Sequence, residues 1–228
     1  AFLNGDLEEE IYMDQPEGYI SEGKEYLVCK LSKTLYGLKQ SPRAWYKKID
    51  EYFASQSLMR SHADPNIYVF KSNNGFIIIA LYVDDLIIVC NNKKLLLKTK
   101  SHLATRFDMK DLGEIHYILG MQITRDRENY TIYLSQQKYL ENILKRFGME
   151  DCKPLATPLD YNSKLSRDMS PLISEEVEAM KNVPYQSAVG SLVYAMTGTR
   201  ADIAYAVGVV SQYMANPGPQ HWIAVKRV

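Results

Sequence analysis

Two adjacent aspartates, Asp84 and Asp85, stand between two apolar runs in the stretch Phe76 to Cys90, FIIIALYVDDLIIVC. Carboxylates so placed either solvate at a turn or share a cation. At ~4 Å apart they repel by roughly 4 kcal/mol at an effective dielectric near 20. Partial burial adds several kcal/mol per ion. A divalent cation removes both penalties, and hard carboxylate oxygens suit Mg²⁺ or Mn²⁺. A plain solvated turn is the competing reading, because aspartate favours turns. Against it, no glycine lies in or beside the turn, although Asp-Gly and Asn-Gly dominate two-residue hairpins. Apolar residues also run up to both acids.

The elements that must position these acids follow from periodicity. Each apolar flank has the length of a buried strand, so the simplest arrangement is a β-hairpin with both carboxylates at its tip. Tyr26 to Leu31 and Asn66 to Lys71 read as strands, and Asn74-Gly75 is a strong hairpin turn. Ser41 as N-cap and Pro42 as first helical residue open a helix to about Ser57. Trp45, Ile49 and Phe53 fall at four-residue steps on its inner face. Asn92 caps a second helix to Phe107, with Leu96, Leu103 and Phe107 inward. Ile115 to Arg125 and Tyr130 to Leu134 form a second hairpin, with Gly120 inside a strand as a bulge or a point of close approach. The class is therefore α+β: a small antiparallel sheet with helices on one face. Beyond it, Ser135 caps a helix that Gly148 ends. Residues 149–173, with three prolines, read as a linker. Tyr185 to Met196 and Asp202 to Met214 are apolar helices, stopped by Pro217-Gly218-Pro219.

Composition narrows the classes. The 228 residues are 46% apolar, enough for a core and one or two domains. No apolar run reaches membrane-spanning length. The first residues form no signal peptide, and without an initiator Met the chain reads as a piece of something longer. Cys29, Cys90 and Cys152 fit neither a zinc pattern nor a disulfide framework. The scattered His62, His102, His116 and His221 read as core or surface residues. Net charge is zero, but its distribution is uneven: residues 1–20 hold six acids and no base, and Lys24 to Lys48 holds seven bases and one acid. Such blocks describe either solvated surface or positive walls for phosphates around a negative pocket.

Tyr82-Val83-Asp84-Asp85 resembles the Tyr-x-Asp-Asp box of reverse transcriptases, and LYVDDLII at 81–88 resembles the copia-type LTR retrotransposons in particular. Further matches stand in the family's order: AFLNGDLEEEIYM at 1–13, LYGLKQSPRAWY at 35–46, YILGMQI at 117–123 and GTRADIAYAV at 198–207. Together they cover nearly the whole chain.

The resemblance implies a reverse transcriptase palm with partial fingers in residues 1–134. A helical thumb and the start of the connection follow in 135–228. It implies templated DNA synthesis with Mg²⁺ or Mn²⁺ on Asp84 and Asp85. The family's first catalytic aspartate lies upstream of Ala1, in an Asp-x-x-x-Ala-aromatic pattern. Phe2 matches the aromatic gate against a ribose 2′-OH. Tyr36, Gly37 and Lys39 match the nucleotide loop, although the wider pattern has Gln where this chain has Tyr36. Ser41, Pro42 and Arg43 match template contacts, and Tyr82 and Val83 lie near the primer end. Leu119, Gly120 and Met121 resemble the primer grip, and Lys110 falls in a loop that can carry a general acid. The implied partners are an RNA template, a DNA primer, deoxynucleoside triphosphates, and the RNase H and integrase portions of a Pol polyprotein, with no membrane. The implied location is a cytoplasmic virus-like particle or the nucleus. The alternative is a truncated, inactive remnant that at most binds nucleic acid.

Overall fold

The computed structural model describes residues 1–160 and 162–228. Strand pairing in it is antiparallel throughout, and the described residues include seven α-helices. The chain divides into two compact units, Ala1–Gly113 and Glu114–Val228.

The first unit begins with a short two-stranded pairing of β1 (Tyr12–Asp14) and β2 (Val28–Lys30). Helix α1 (Ser41–Ser55) follows, then β3 (Met59–Arg60), β4 (Ile67–Ser72), β5 (Gly75–Tyr82), β6 (Asp85–Cys90) and α2 (Lys93–Arg106). The four strands pair in sequence order. In β5, side chains alternate between faces, so Ile77, Ile79 and Leu81 share one face and are all buried. Their partners Cys90, Ile88 and Leu86 on β6 join the same face.

Trp45, Ile49 and Phe53 of α1 cover that face from above, at the spacing the sequence predicts. Leu103 and Phe107 come from α2 and its end. Phe107 meets Trp45 and Tyr52 edge-on, with ring centroids 5.4 and 5.3 Å away. Each such buried side chain contributes about 1.5–3 kcal/mol. Leu95, rather than the expected Leu96, packs on this core; Leu95, Leu103 and Phe107 stand at multiples of four along one helical stripe. Asn92 caps α2 as its spacing predicts, its side-chain oxygen accepting from the Lys94 and Leu95 amides at 2.9 and 3.2 Å.

Ser41 is not the cap of α1. It is the first helical residue, is buried, and donates from Oγ to the Leu35 carbonyl at 2.5 Å. The side chain turns inward to tie down the preceding loop instead of capping the helix. The strand expected over Tyr26 to Leu31 shortens to Val28–Lys30, because only those residues find partners on β1.

The second unit opens with a three-stranded sheet of β7 (Tyr117–Ile118), β8 (Met121–Asp126) and β9 (Thr131–Ser135). The single strand expected over Ile115 to Arg125 is itself a hairpin. Leu119 and Gly120 take φ of +50° and +76° between β7 and β8, and two positive-φ residues make the turn type that suits a hairpin. Helices α3 (Gln137–Arg146), α4 (Ser174–Lys181), α5 (Tyr185–Gly198), α6 (Ala204–Ser211) and α7 (Pro219–Arg227) complete the unit. The Tyr194 hydroxyl on α5 donates to the Leu119 carbonyl. Gln136, buried between β9 and α3, donates to the Tyr194 carbonyl at 3.2 Å. These ties make the β7–β9 sheet part of the compact unit Glu114–Val228.

Residues 149–173 are not a free linker. Tyr213 donates to the Leu165 carbonyl at 2.8 Å, His221 bonds the Ser166 carbonyl at 3.0 Å, and Leu159 and Leu165 pack on the helical core. Tyr161 in this stretch lies outside the described residues. Pro217-Gly218 lies between α6 and α7, and Pro219 is the first residue of α7, as suits a proline in the first helical turn. Among the described residues, no helix is long and apolar enough to cross a membrane.

Candidate active site

The tip of the β5–β6 hairpin is a two-residue turn of Val83 and Asp84, because Tyr82 pairs with Asp85. The expected turn of Asp84-Asp85 is thus shifted by one residue: Asp84 occupies the turn and Asp85 begins β6. Val83 takes φ +51°, a left-handed conformation that costs a β-branched residue about 1–3 kcal/mol. The indole Nε1–H of Trp45 donates to the Val83 carbonyl at 2.7 Å. Trp45 itself is fixed in the core, so the indole transmits the position of α1 to the tip.

Asp84 has half its side chain exposed, 52%. Its Oδ2 accepts a hydrogen bond from the Tyr36 hydroxyl and lies 3.6 Å from the backbone nitrogen of Ala1. The carboxylate beside it holds the Tyr36 phenol above its ordinary pKa of 10.0. The Tyr36 ring packs on Phe2, with centroids 4.5 Å apart and planes tilted by 42°. Phe2, Tyr36, Tyr82, Val83, Asp84 and Asp85 are thereby assembled at one end of the sheet.

Phe2 sits in a single 3-10 turn, Phe2–Asn4. Thr34, fully buried, donates from Oγ1 to the Phe2 carbonyl and from its amide to the Gly5 carbonyl, the latter at 3.1 Å. Gly5 is close-packed here: a Cβ would meet Thr34 Oγ1 at 2.5 Å and the Ala44 Cβ at 3.0 Å. Gly37 takes φ +99° in the loop before α1, which suits glycine alone. Lys39, Pro42 and Arg43 are exposed beside it. Lys110 is exposed in the loop after α2.

The charge blocks pair largely with each other. Lys33 and Lys48 both reach Asp6, Lys47 reaches Glu8 at 3.2 Å, and Lys30 reaches Glu10. The two lysines draw Asp6 down to a pKa of about 2. The expected wall of free positive charge is therefore reduced: the acidic first block consumes four bases of the second. Lys39 and Arg43 keep their charge outside these pairs. Arg43 lines an open groove with Asp6, Glu8, Gln40, Lys47 and Glu51.

Leu119 and Gly120 form the β7–β8 turn of the second unit, and Met121 begins β8. The Tyr194 hydroxyl would stand 3.7 Å from a Cβ at Gly120, and Tyr194 is held edge-on by Tyr139 at 4.8 Å.

Trp45, Thr34 and Gly5 support the site and were not singled out for it by sequence reasoning. Trp45 carried only a core signal, and its donor role depends on where Val83 lands.

Asp84 and Asp85 offer hard oxygen donors of the kind that Mg²⁺ takes, one or two carboxylates completed by substrate phosphates. Among the described residues no group of three or more His, Cys, Asp or Glu side chains could hold a metal ion. The pair therefore fits a cation shared with a substrate better than a closed protein cage.

A family model described as reverse transcriptase (RNA-dependent DNA polymerase) matches residues 1–161. The retrovirus-related Pol polyprotein from transposon TNT 1-94 of Nicotiana tabacum is 55% identical over 227 residues, which cover 99% of this chain and 17% of that protein. The retrovirus-related Pol polyprotein from transposon RE2 of Arabidopsis thaliana is 38% identical over 228 residues, covering 100% of this chain and 15% of that protein. A putative transposon Ty5-1 protein of Saccharomyces cerevisiae is 32% identical over 228 residues, covering 100% of this chain and 72% of that protein. The chain thus spans under a fifth of the two plant Pol polyproteins. No solved structure matches it. With its acidic hairpin, its family match and these relatives, the chain belongs to the reverse transcriptase family, in the form carried by the Pol polyproteins of copia-type retrotransposons.

Proposed function

We propose that this chain carries the nucleotidyl-transfer centre of an RNA-directed DNA polymerase, which extends a DNA primer with deoxynucleoside triphosphates on an RNA template. The observation that carries the reading is the half-exposed Asp84 carboxylate at the hairpin tip, beside the Phe2–Tyr36 aromatic pair. Residues 1–134 then supply fingers and palm, and residues 135–228 the thumb and the start of the connection.

Asp84 and Asp85 hold Mg²⁺ or Mn²⁺ in this reading, with the family's upstream aspartate as a further ligand. The cation, when bound, neutralises charge on the nucleotide phosphates. The rest falls to the chain's own groups. The hairpin tip holds Asp84 toward the reacting phosphate, and Tyr82 and Val83 flank the primer end. Phe2 is a wall at the sugar and rejects a 2′-OH by bulk. Lys39 and Arg43 bind nucleotide or template phosphate as charge-assisted donors. Gly37 shapes their loop, Ser41 anchors it from inside, and Pro42 starts the helix that carries Arg43. The Leu119-Gly120 turn, with Met121 at the start of β8, grips the primer backbone. Sequence information comes from base pairing, so protein contacts go mainly to backbone. RNase H and integrase portions of a polyprotein are the natural partners, in a virus-like particle or the nucleus.

The second reading, an inactive remnant that binds nucleic acid, is favoured by one observation: among the described residues Asp84 and Asp85 are not joined by a third His, Cys, Asp or Glu in a group that could hold a metal ion. Primer extension on an RNA template with Mg²⁺ or Mn²⁺ separates the two. The comparison is between this chain and a form extended upstream through the expected aspartate. Extension by the longer form supports the polymerase reading. Its absence in both, with folding verified, overturns it in favour of the remnant. Extension by the shorter chain alone would place the further ligand within these residues.

A further inference from the structure

We infer that Tyr36 is a positioning residue that holds the Asp84 carboxylate and ties it to Phe2, so that the metal-binding acid and the sugar-side wall move as one unit. The inference deepens the polymerase reading above and rests on it.

Tyr36 has no part in the core: it is 56% exposed. The backbone immediately before it is nevertheless anchored to buried side chains. Thr34 is bound to the Phe2 and Gly5 carbonyls, and the Leu35 carbonyl accepts from Ser41 Oγ. An exposed aromatic on an anchored loop is held for a surface task, since burial gives it none. Its hydroxyl bonds an acid 48 positions away in sequence. Its ring lies against Phe2. A side-chain amide, as the wider family pattern carries here, can donate a hydrogen bond but offers no aromatic ring to Phe2.

A carboxylate oxygen has two lone pairs, so Asp84 can accept from Tyr36 and still face a cation. The hydrogen bond fixes a half-exposed side chain that would otherwise sample several rotamers. Outer partners of this kind typically change metal affinity by about 10–100-fold when removed. The ring contact adds a second consequence. Displacement of Tyr36 alters the support of Phe2 and hence the discrimination against ribonucleotides.

The test uses the Pol polymerase that carries this segment, with Mn²⁺ binding followed by the electron paramagnetic resonance signal of the free ion. Tyr36→Phe keeps the ring and removes the hydroxyl. It is expected to weaken Mn²⁺ binding about tenfold, and to lower kcat with the KM for deoxynucleotide within about twofold. Its ribonucleotide discrimination stays at the wild-type value. Tyr36→Ala removes the ring as well and relaxes discrimination. Wild-type Mn²⁺ affinity in Tyr36→Phe overturns the positioning role, and wild-type discrimination in Tyr36→Ala overturns the tie to Phe2. Asp84→Asn separates the two levels. If Asp84→Asn leaves Mn²⁺ binding intact, the metal reading of Asp84 itself fails. If it weakens binding while Tyr36→Phe does not, only the Tyr36 inference fails.

Discussion

Trp45 and Val83 are joined by a 2.7 Å hydrogen bond from the indole nitrogen to the backbone carbonyl, across 38 positions of sequence. The bond links a helix whose inner face is buried to the turn that holds Asp84. It also restrains Val83 in its φ of +51°. Trp45→Phe keeps most of the buried ring and leaves the Val83 carbonyl without its donor. The expected cost is about 1–3 kcal/mol in urea unfolding, together with slower metal-dependent extension in an active form. Wild-type stability and rate would show that the tip is held by strand pairing alone.

Asp84→Asn keeps the side-chain shape and removes the charge. Extension supported by Mg²⁺ or Mn²⁺ is expected to vanish in any active, longer form, because the amide is a poor ligand for a hard cation. The hairpin should stay intact, since Asp84 is a turn residue outside the strand pairing. A circular dichroism spectrum and melting temperature near wild type would confirm a chemical loss. Undiminished extension would remove Asp84 from the metal site.

Phe2→Ala opens the space beside Tyr36. Incorporation of ribonucleotides is expected to rise relative to deoxynucleotides, measured as the ratio of kcat/KM values for the two. The Phe2 carbonyl still accepts from Thr34, so its 3-10 turn should persist. An unchanged ratio would deny Phe2 the gate role.

The hairpin, α1 and the cap of α2 were legible because their signals are local. The unbroken apolar run from Phe76 to Leu81, four-residue steps from Trp45 to Phe53, and Asn92 before Lys93 each depend on neighbours in sequence. What stayed hidden depends on distant pairing. Register alone moves the turn from Asp84-Asp85 to Val83-Asp84, because Tyr82 meets Asp85. The bond from Tyr36 to Asp84 and the ion pairs of Asp6 with Lys33 and Lys48 have no sequence period. The acidic first block and the basic second one were visible, but not that each largely cancels the other. Leu119-Gly120 was read as strand because Gly120 also suits a bulge; only positive φ at both residues reveals the turn. Residues 149–173 looked free because their partners, Tyr213 and His221, lie far along the chain.

His221 makes the stability of the second unit depend on pH. It is buried, stacks on Tyr213 at 4.0 Å, accepts the Gly218 amide at Nδ1 and donates from Nε2 to the Ser166 carbonyl. Burial lowers its pKa below the ordinary 6.5. The unfolded state therefore takes up the proton first. The stabilisation is complete above about pH 6.5, the unfolded value, and is lost as pH falls from there through the lowered folded value. Urea midpoints measured from pH 7.5 down to pH 5 should fall in this window, and the fall attributable to His221 should be absent in His221→Gln. An identical pH dependence in that variant would assign the effect to other groups.

Gly218 stands where α7 meets the segment of Arg167–Met169. A Cβ there would collide with the Met169 carbonyl oxygen and lie 3.0 Å from its carbon. These are backbone atoms and cannot swing away as a side chain would. Ser166 is bound nearby to His221, and Leu165 to Tyr213, so a shift of Met169 disturbs both bonds. Gly218→Ala should therefore destabilise the second unit by about 1–3 kcal/mol, at the upper end for overpacking. It should also raise amide exchange or proteolysis within residues 162–173 more than in the β7–β9 sheet. A neutral Gly218→Ala would mean that α7 and this segment separate without cost, and that residues 149–173 act as the flexible connection their prolines suggest.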